Sequence, residues 1–166
     1  MFDLIQLVQD WAPRDLERLI EQVQPADANV GENLKDGNAL MDWNDVLELH
    51  RAGAVFGSHT RHHFNLKTLS KEHVEEEIAS SKNDLETILQ TPVKAFAFPG
   101  GHLTSQMREF LVRHGYTYAF STERGFNSLE ADSLRLRRIN VWDGMLQDHR
   151  GRFSPGVFAL NLMMAR

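Results

Sequence analysis

Val55-Phe-Gly-Ser-His-Thr-Arg-His-His-Phe-Asn-Leu66 is the stretch from which the rest of the chain is read. Its apolar start predicts a short strand near 54–58 running into Gly57, followed by a loop that carries His59, His62 and His63. Loops at the carboxyl end of a strand are where α/β folds place chemistry, because a rigid scaffold holds residues that still reach solvent. Imidazole is the commonest protein ligand of zinc-like ions, and two imidazoles a few residues apart on one turn can share one metal. The competing reading is a solvated polar loop. Three of the chain's 8 histidines fall within five positions between apolar flanks, which favours the metal-ligating loop.

Downstream, Ser70 is placed to cap a helix running to about Gln90. Val74, Ile78, Leu85 and Leu89 form its buried stripe, Glu75, Glu76 and Glu77 lie near its outer face, and Pro92 stops it. A second strand at 94–98 ends in Pro99-Gly100-Gly101. Thr104 caps a helix with Met107, Phe110, Leu111 and His114 on one face, and Gly115 follows it. A third strand covers 116–121, a loop runs from Thr122 to Asp132, and a fourth strand covers 134–142. This alternation predicts an α/β fold with a parallel sheet.

Upstream, Leu4, Leu7, Val8 and Trp11 mark one amphipathic helix, and Leu16, Leu19, Ile20 and Val23 mark a second after Pro13. A loop from Pro25 to Asn38 precedes a short helix that opens at Asp42, carries Val46, Leu47 and Leu49, and closes at Gly53. At the other end, Ser154 to Met164 reads as a helix that is apolar nearly all round and wants burial on more than one side. It is expected to cover an open sheet or to self-associate with a second chain. The expected organisation is a helical segment at 1–38, an α/β domain at 39–150 and an apolar helix at 151–166.

Composition narrows the function classes. A chain of 166 residues with 42% apolar content can bury a real core as one globular domain. A net charge of -5, with no Lys/Arg block, excludes a nucleic-acid footprint. The absence of cysteine rules out disulfides and thiolate-built metal sites, leaving His, Asp and Glu as ligands. The first residues lack the basic and apolar regions of a signal peptide, and no run reaches transmembrane length. The expectation is a soluble protein with no membrane span, cytoplasmic by default.

Gly57-Ser58-His59-Thr60, with His63 and Leu66, resembles the second motif of the polysaccharide deacetylases (carbohydrate esterase family 4), G-[SA]-H-[ST]-x-x-H-x-x-L. Phe96 to Gly101 is similar to the family's third motif, F-A-Y-P-x-G, and Gly115-Tyr116 with Phe120-Ser-Thr122 is similar to the stretch that usually follows. Leu136-Arg-Arg-Ile-Asn-Val141 resembles a strand of the branch found in exopolysaccharide gene clusters, so the likeness spans roughly residues 39 to 142. The helical segment before it looks like an insertion carried by some members of that branch.

The resemblance implies a partial irregular (β/α) barrel with the site at the strands' carboxyl ends. It further implies a divalent metal, zinc by preference, held by His59 and His63, with Thr60 bracing the loop and His62 on a variable position. The third motif implies a backbone N–H at Gly100, on a turn held by Pro99, aimed at the oxyanion formed when water adds to an acetamide carbonyl. The implied substrate is an N-acetylated polysaccharide or oligosaccharide. Two family features have no counterpart here: the T-F-D-D strand that supplies a base and a third metal ligand, and the late L-H-D motif. His149 sits in an unrelated Asp-His-Arg-Gly context. Stand-ins within the chain would be Asp143, His62 and His102, and Arg137 beside Arg138 could orient an acidic sugar or acetate.

The expectation is a metal-dependent deacetylase impaired in this chain alone. The alternatives are a non-catalytic remnant that binds carbohydrate or metal, and a half-domain completed by a partner. Loss of the first strands would leave a sheet edge and apolar surface to be covered by self-association.

Overall fold

The computed structural model describes residues 41–164 together with Arg14, Asp15 and Arg18. Those three are helical and exposed, as the polar face of the second expected helix requires. The rest of the amino-terminal helices, and the loop to Asn38, lie outside the described residues. The chain divides into two compact units, Met1–Phe56 with Thr60–Val93, and Gly57–His59 with Lys94–Arg166.

In the first unit, α1 (Trp43–Arg51) starts on a reciprocal cap. Asp42 accepts from the N–H groups of Asn44 and Asp45, and the Asp45 carboxylate accepts from the Asp42 N–H at 2.8 Å. Gly53 follows the helix end as expected, its N–H donating to the His50 carbonyl. The long helix α2 (Lys71–Leu89) is capped by Ser70, as its sequence predicts, and ends where Gln90 turns left-handed (φ 54) before Pro92. Val74, Ile78 and Leu89 are buried and Leu85 is half-buried. Val93 ties the chain back to this helix: its N–H donates to Glu86 Oε1 at 2.8 Å, and its carbonyl accepts from Lys82 Nζ.

Glu77 departs from the expected pattern. It is buried, 6% exposed, rather than on the outer face. The reason is helical spacing: Glu77 lies three residues after Val74 and four before the buried Ser81, so it shares their stripe.

The second unit is built on parallel pairing. Strand β1 (Ala95–Ala97) lies beside β2 (Tyr118–Phe120), with Phe96 opposite Ala119. Ser58 bridges Phe96 on one side, and Leu136 bridges Phe120 on the other, both in parallel. All four segments expected to be strands therefore pair in parallel and in chain order, the arrangement expected of part of a (β/α) barrel. Between β1 and β2 runs α3 (Ser105–Arg113), capped by Thr104, with Met107, Phe110 and Leu111 buried. Phe96 meets the rings of Phe98 and Tyr116 edge-on at 5.0 and 5.3 Å, which centres the core of this unit.

All four segments are shorter than expected, and two are reduced to single bridges. Near 54–58 only Ser58 pairs, and Val55 is 91% exposed. At 134–142 only Leu136 pairs, because the backbone beyond it is satisfied elsewhere. The Arg137 N–H donates to Asn127 Oδ1 at 2.9 Å, and its carbonyl accepts from Asn127 Nδ2 at 2.8 Å, so one amide side chain stands in for a neighbouring strand.

After Trp142, the single turn α4 (Asp143–Leu146) leads into a short antiparallel bridge between Gln147 and Phe153. Helix α5 (Pro155–Met163), capped by Ser154, packs on α4, and Asn161 Nδ2 donates to the Met145 carbonyl at 3.1 Å. No residue of α5 is fully buried, and Leu160, Met163 and Met164 are exposed. Among the described residues, no helix is long and apolar enough to cross a membrane.

Candidate functional site

His59 follows the Ser58 bridge directly. The Ser58 N–H donates to the Ala95 carbonyl at 2.9 Å, and its own carbonyl accepts from the Ala97 N–H at 2.8 Å, which pins the backbone at the carboxyl end of β1. Gly57 permits this approach, since a Cβ there would stand 3.1 Å from the Ala95 oxygen. The His59 ring then reaches back along the strand, with Nδ1 2.8 Å from the Ala97 carbonyl oxygen. A carbonyl only accepts, so Nδ1 carries a proton, and Nε2 is the nitrogen that a metal could take. This is the second contact by which metal-binding histidines fix their tautomer and aim the other nitrogen.

The turn that ends β1 lies two residues beyond Ala97. Pro99–Gly101 forms a single tight turn in which Pro99 is buried and Gly100 is exposed with φ 64. Gly101 (φ 76) is packed so closely that an added Cβ would come within 2.5 Å of the Thr122 backbone nitrogen. Thr122 Oγ1 donates to the Gly100 carbonyl at 3.4 Å, and the Gly101 N–H donates to the Phe98 carbonyl at 2.9 Å. The end of β1 thus brings together His59 and the Pro99–Gly101 turn. The exposed His102 ring lies beside the same turn, 3.3 Å from where a Cβ on Gly100 would stand.

Thr60 to His63 belong to the other unit and are held there by α2. Thr60 (φ 67) and His63 (φ 58) are both left-handed, a conformation that a β-branched residue rarely adopts. Thr60 Oγ1 accepts from the His63 N–H at 3.1 Å. Glu77 Oε2 accepts from the N–H groups of Arg61 and His62 at 3.0 and 2.9 Å, and Oε1 accepts from His62 Nδ1 at 2.5 Å. The His62 ring stacks on Phe64 with centroids 5.2 Å apart. Arg61 pairs with Asp84 at 3.3 Å, and Leu66 is buried behind the loop.

Asp143 is exposed at the start of α4. Arg137 pairs with Glu123 at 3.7 Å, and Glu123 also binds Arg135, whose guanidinium beside it holds the Glu123 carboxyl below the usual range. His149 is exposed in a turn closed by Asp148, which accepts from the Arg150 and Arg152 N–H groups. Among the described residues, no group of three or more His, Asp or Glu is gathered that could hold a metal ion. Sequence reasoning missed Glu77 as a partner of the histidine loop. Its spacing from Val74 and Ser81 could have placed it on the buried face of α2, though not against the loop.

The chain belongs to the polysaccharide deacetylase family, whose model matches residues 13–119 and so takes in both the histidine loop and the Pro99–Gly101 turn. It is 26% identical over 116 residues to YxkH of Bacillus subtilis (strain 168), provisionally named a polysaccharide deacetylase. That alignment covers 70% of this chain and 41% of YxkH, so the chain spans about two-fifths of the curated relative's length. The fold is similar to that of the Streptococcus pyogenes deacetylase PplD, solved in complex with acetate: TM-score 0.65, 19% identity, 95% of this chain and 83% of that one. It is also similar to that of BC0361, a polysaccharide deacetylase from Bacillus cereus: TM-score 0.55, 23% identity, 76% of this chain and 42% of that one.

Proposed function

We propose that this chain carries the metal-binding and oxyanion-stabilising part of a deacetylase acting on N-acetylated polysaccharide or oligosaccharide. The observation that supports this reading best is the His59 ring, held through Nδ1 by the Ala97 carbonyl at the strand end that leads into Pro99–Gly101. His59 and His63 would hold a divalent ion, zinc being suited to imidazole, and Thr60 braces the loop by accepting the His63 N–H. When bound, such an ion supplies positive charge that polarises an amide carbonyl. The Gly100 N–H, on a turn fixed by Pro99 and Thr122, would donate to the carbonyl oxygen as it gains charge.

Two imidazoles are one short of the three protein ligands of a catalytic zinc site. The described residues gather no cluster of three, and this favours a second reading beside the first: a remnant that binds without turnover, or a half-domain completed by a partner. A missing general base would cost about 10²–10⁴-fold in rate. Asp143, His62 and Arg137 are the weaker candidates for supporting roles.

Acetate release from N-acetylglucosamine oligomers, with zinc added, tests the proposal. Release above background that His59→Ala abolishes is the expected result for the deacetylase. No release from the wild-type chain, despite zinc binding, would favour the remnant or half-domain.

A further inference from the structure

We propose that Glu77 is a positioning residue for the histidine loop, holding Thr60 to His63 in the conformation from which His63 is presented. This rests on the reading of His63 as a metal ligand. The Glu77 side chain is 7% exposed, and a buried carboxylate is costly unless each oxygen finds donors. Both oxygens do. One takes two successive backbone N–H groups, Arg61 and His62, and the other takes the His62 ring. Bonds from backbone amides to a charged acceptor are about twice as strong as neutral ones, and two in sequence fix the local backbone rather than a side chain.

The bonded pair lies between two left-handed residues, Thr60 and His63. Left-handed backbone at non-glycine residues is strained and persists only where surroundings over-determine it. Glu77 is the buried group bonded between them, and α2, capped at Ser70, makes its position rigid. The His62 ring adds a third bond but has a half-exposed side chain, so its identity matters less than the backbone contacts.

The test uses the whole chain without metal, then with zinc, in the wild type, Glu77→Ala and Glu77→Gln. The glutamine keeps one oxygen for the two backbone donors, and its amide can face His62 Nδ1 in the other tautomer. Amide hydrogen exchange of the metal-free proteins reads the clamp directly. Glu77→Ala should speed exchange at Arg61 and His62 by about 10-fold or more, while amides at the core of α2 keep their rates. It should also weaken zinc binding by about 10–100-fold, the range for residues that orient metal ligands, and Glu77→Gln should restore most of both.

Unchanged exchange at Arg61 and His62 in Glu77→Ala, or zinc affinity equal to wild type, would overturn the proposal. Should the alanine variant fail to fold, Glu77→Asp, shorter by one methylene, is read by the same criteria. A wild-type chain that binds no zinc would sink the metal reading, and the exchange rates would still decide the role of Glu77.

Discussion

His59 and Gly101 show how much depends on single atoms in this chain. The Ala97 carbonyl accepts from His59 Nδ1, so a metal could be met only by Nε2. The glycine at 101 is required by its left-handed backbone and by the proximity of the Thr122 nitrogen, which cannot yield as a flexible side chain would. Gly101→Ala should therefore lower stability by about 2 kcal/mol or more in urea denaturation, combining an incompatible φ with overpacking. A variant as stable as the wild type would show that the turn is looser than described. At this scale the sequence was informative where spacing alone carries the signal: His59, Thr60 and His63 are neighbours along the chain. Glu77 was not legible as a partner, because its bonds to Arg61 and His62 need α2 to be folded back against the loop.

The elements were legible where caps and breakers are local. Ser70 and Thr104 start their helices, and Gly53 and Gln90 close theirs, because capping is decided within a few residues. Strand length was less legible. The apolar pattern at 134–142 marks a segment able to pair, but the Asn127 amide takes the backbone groups of Arg137. The same loop supplies Asp132, which binds Arg108 of α3 at 2.5 Å.

That bond to Arg108 is the main reason the Asp132 carboxyl lies below the usual aspartate range, with the Leu134 N–H assisting. A depressed folded pKa contributes stability above the unfolded value and loses it as pH falls through the folded one. The urea midpoint should therefore fall on acidification from about pH 6 to about pH 3, less steeply in Asp132→Asn. Identical profiles for both proteins would show that the pair contributes nothing. The effect is expected to be small, since both partners are substantially exposed.

For the whole molecule, family membership and parallel pairing in chain order agree with one another. The histidine motif and the Pro-Gly turn were legible because each sits beside a strand end, the place where this class of fold gathers chemistry. Whether the chain holds a metal was not legible, since ligands are brought together by tertiary folding; among the described residues no group of three His, Asp or Glu is gathered. The most direct test is a calorimetric zinc titration of the wild-type chain beside His59→Ala and His63→Ala. Binding by the wild type that each substitution weakens by at least about 10-fold is expected, because each would remove a proposed ligand. Binding that survives both substitutions, or no binding by the wild-type chain, would contradict the metal reading.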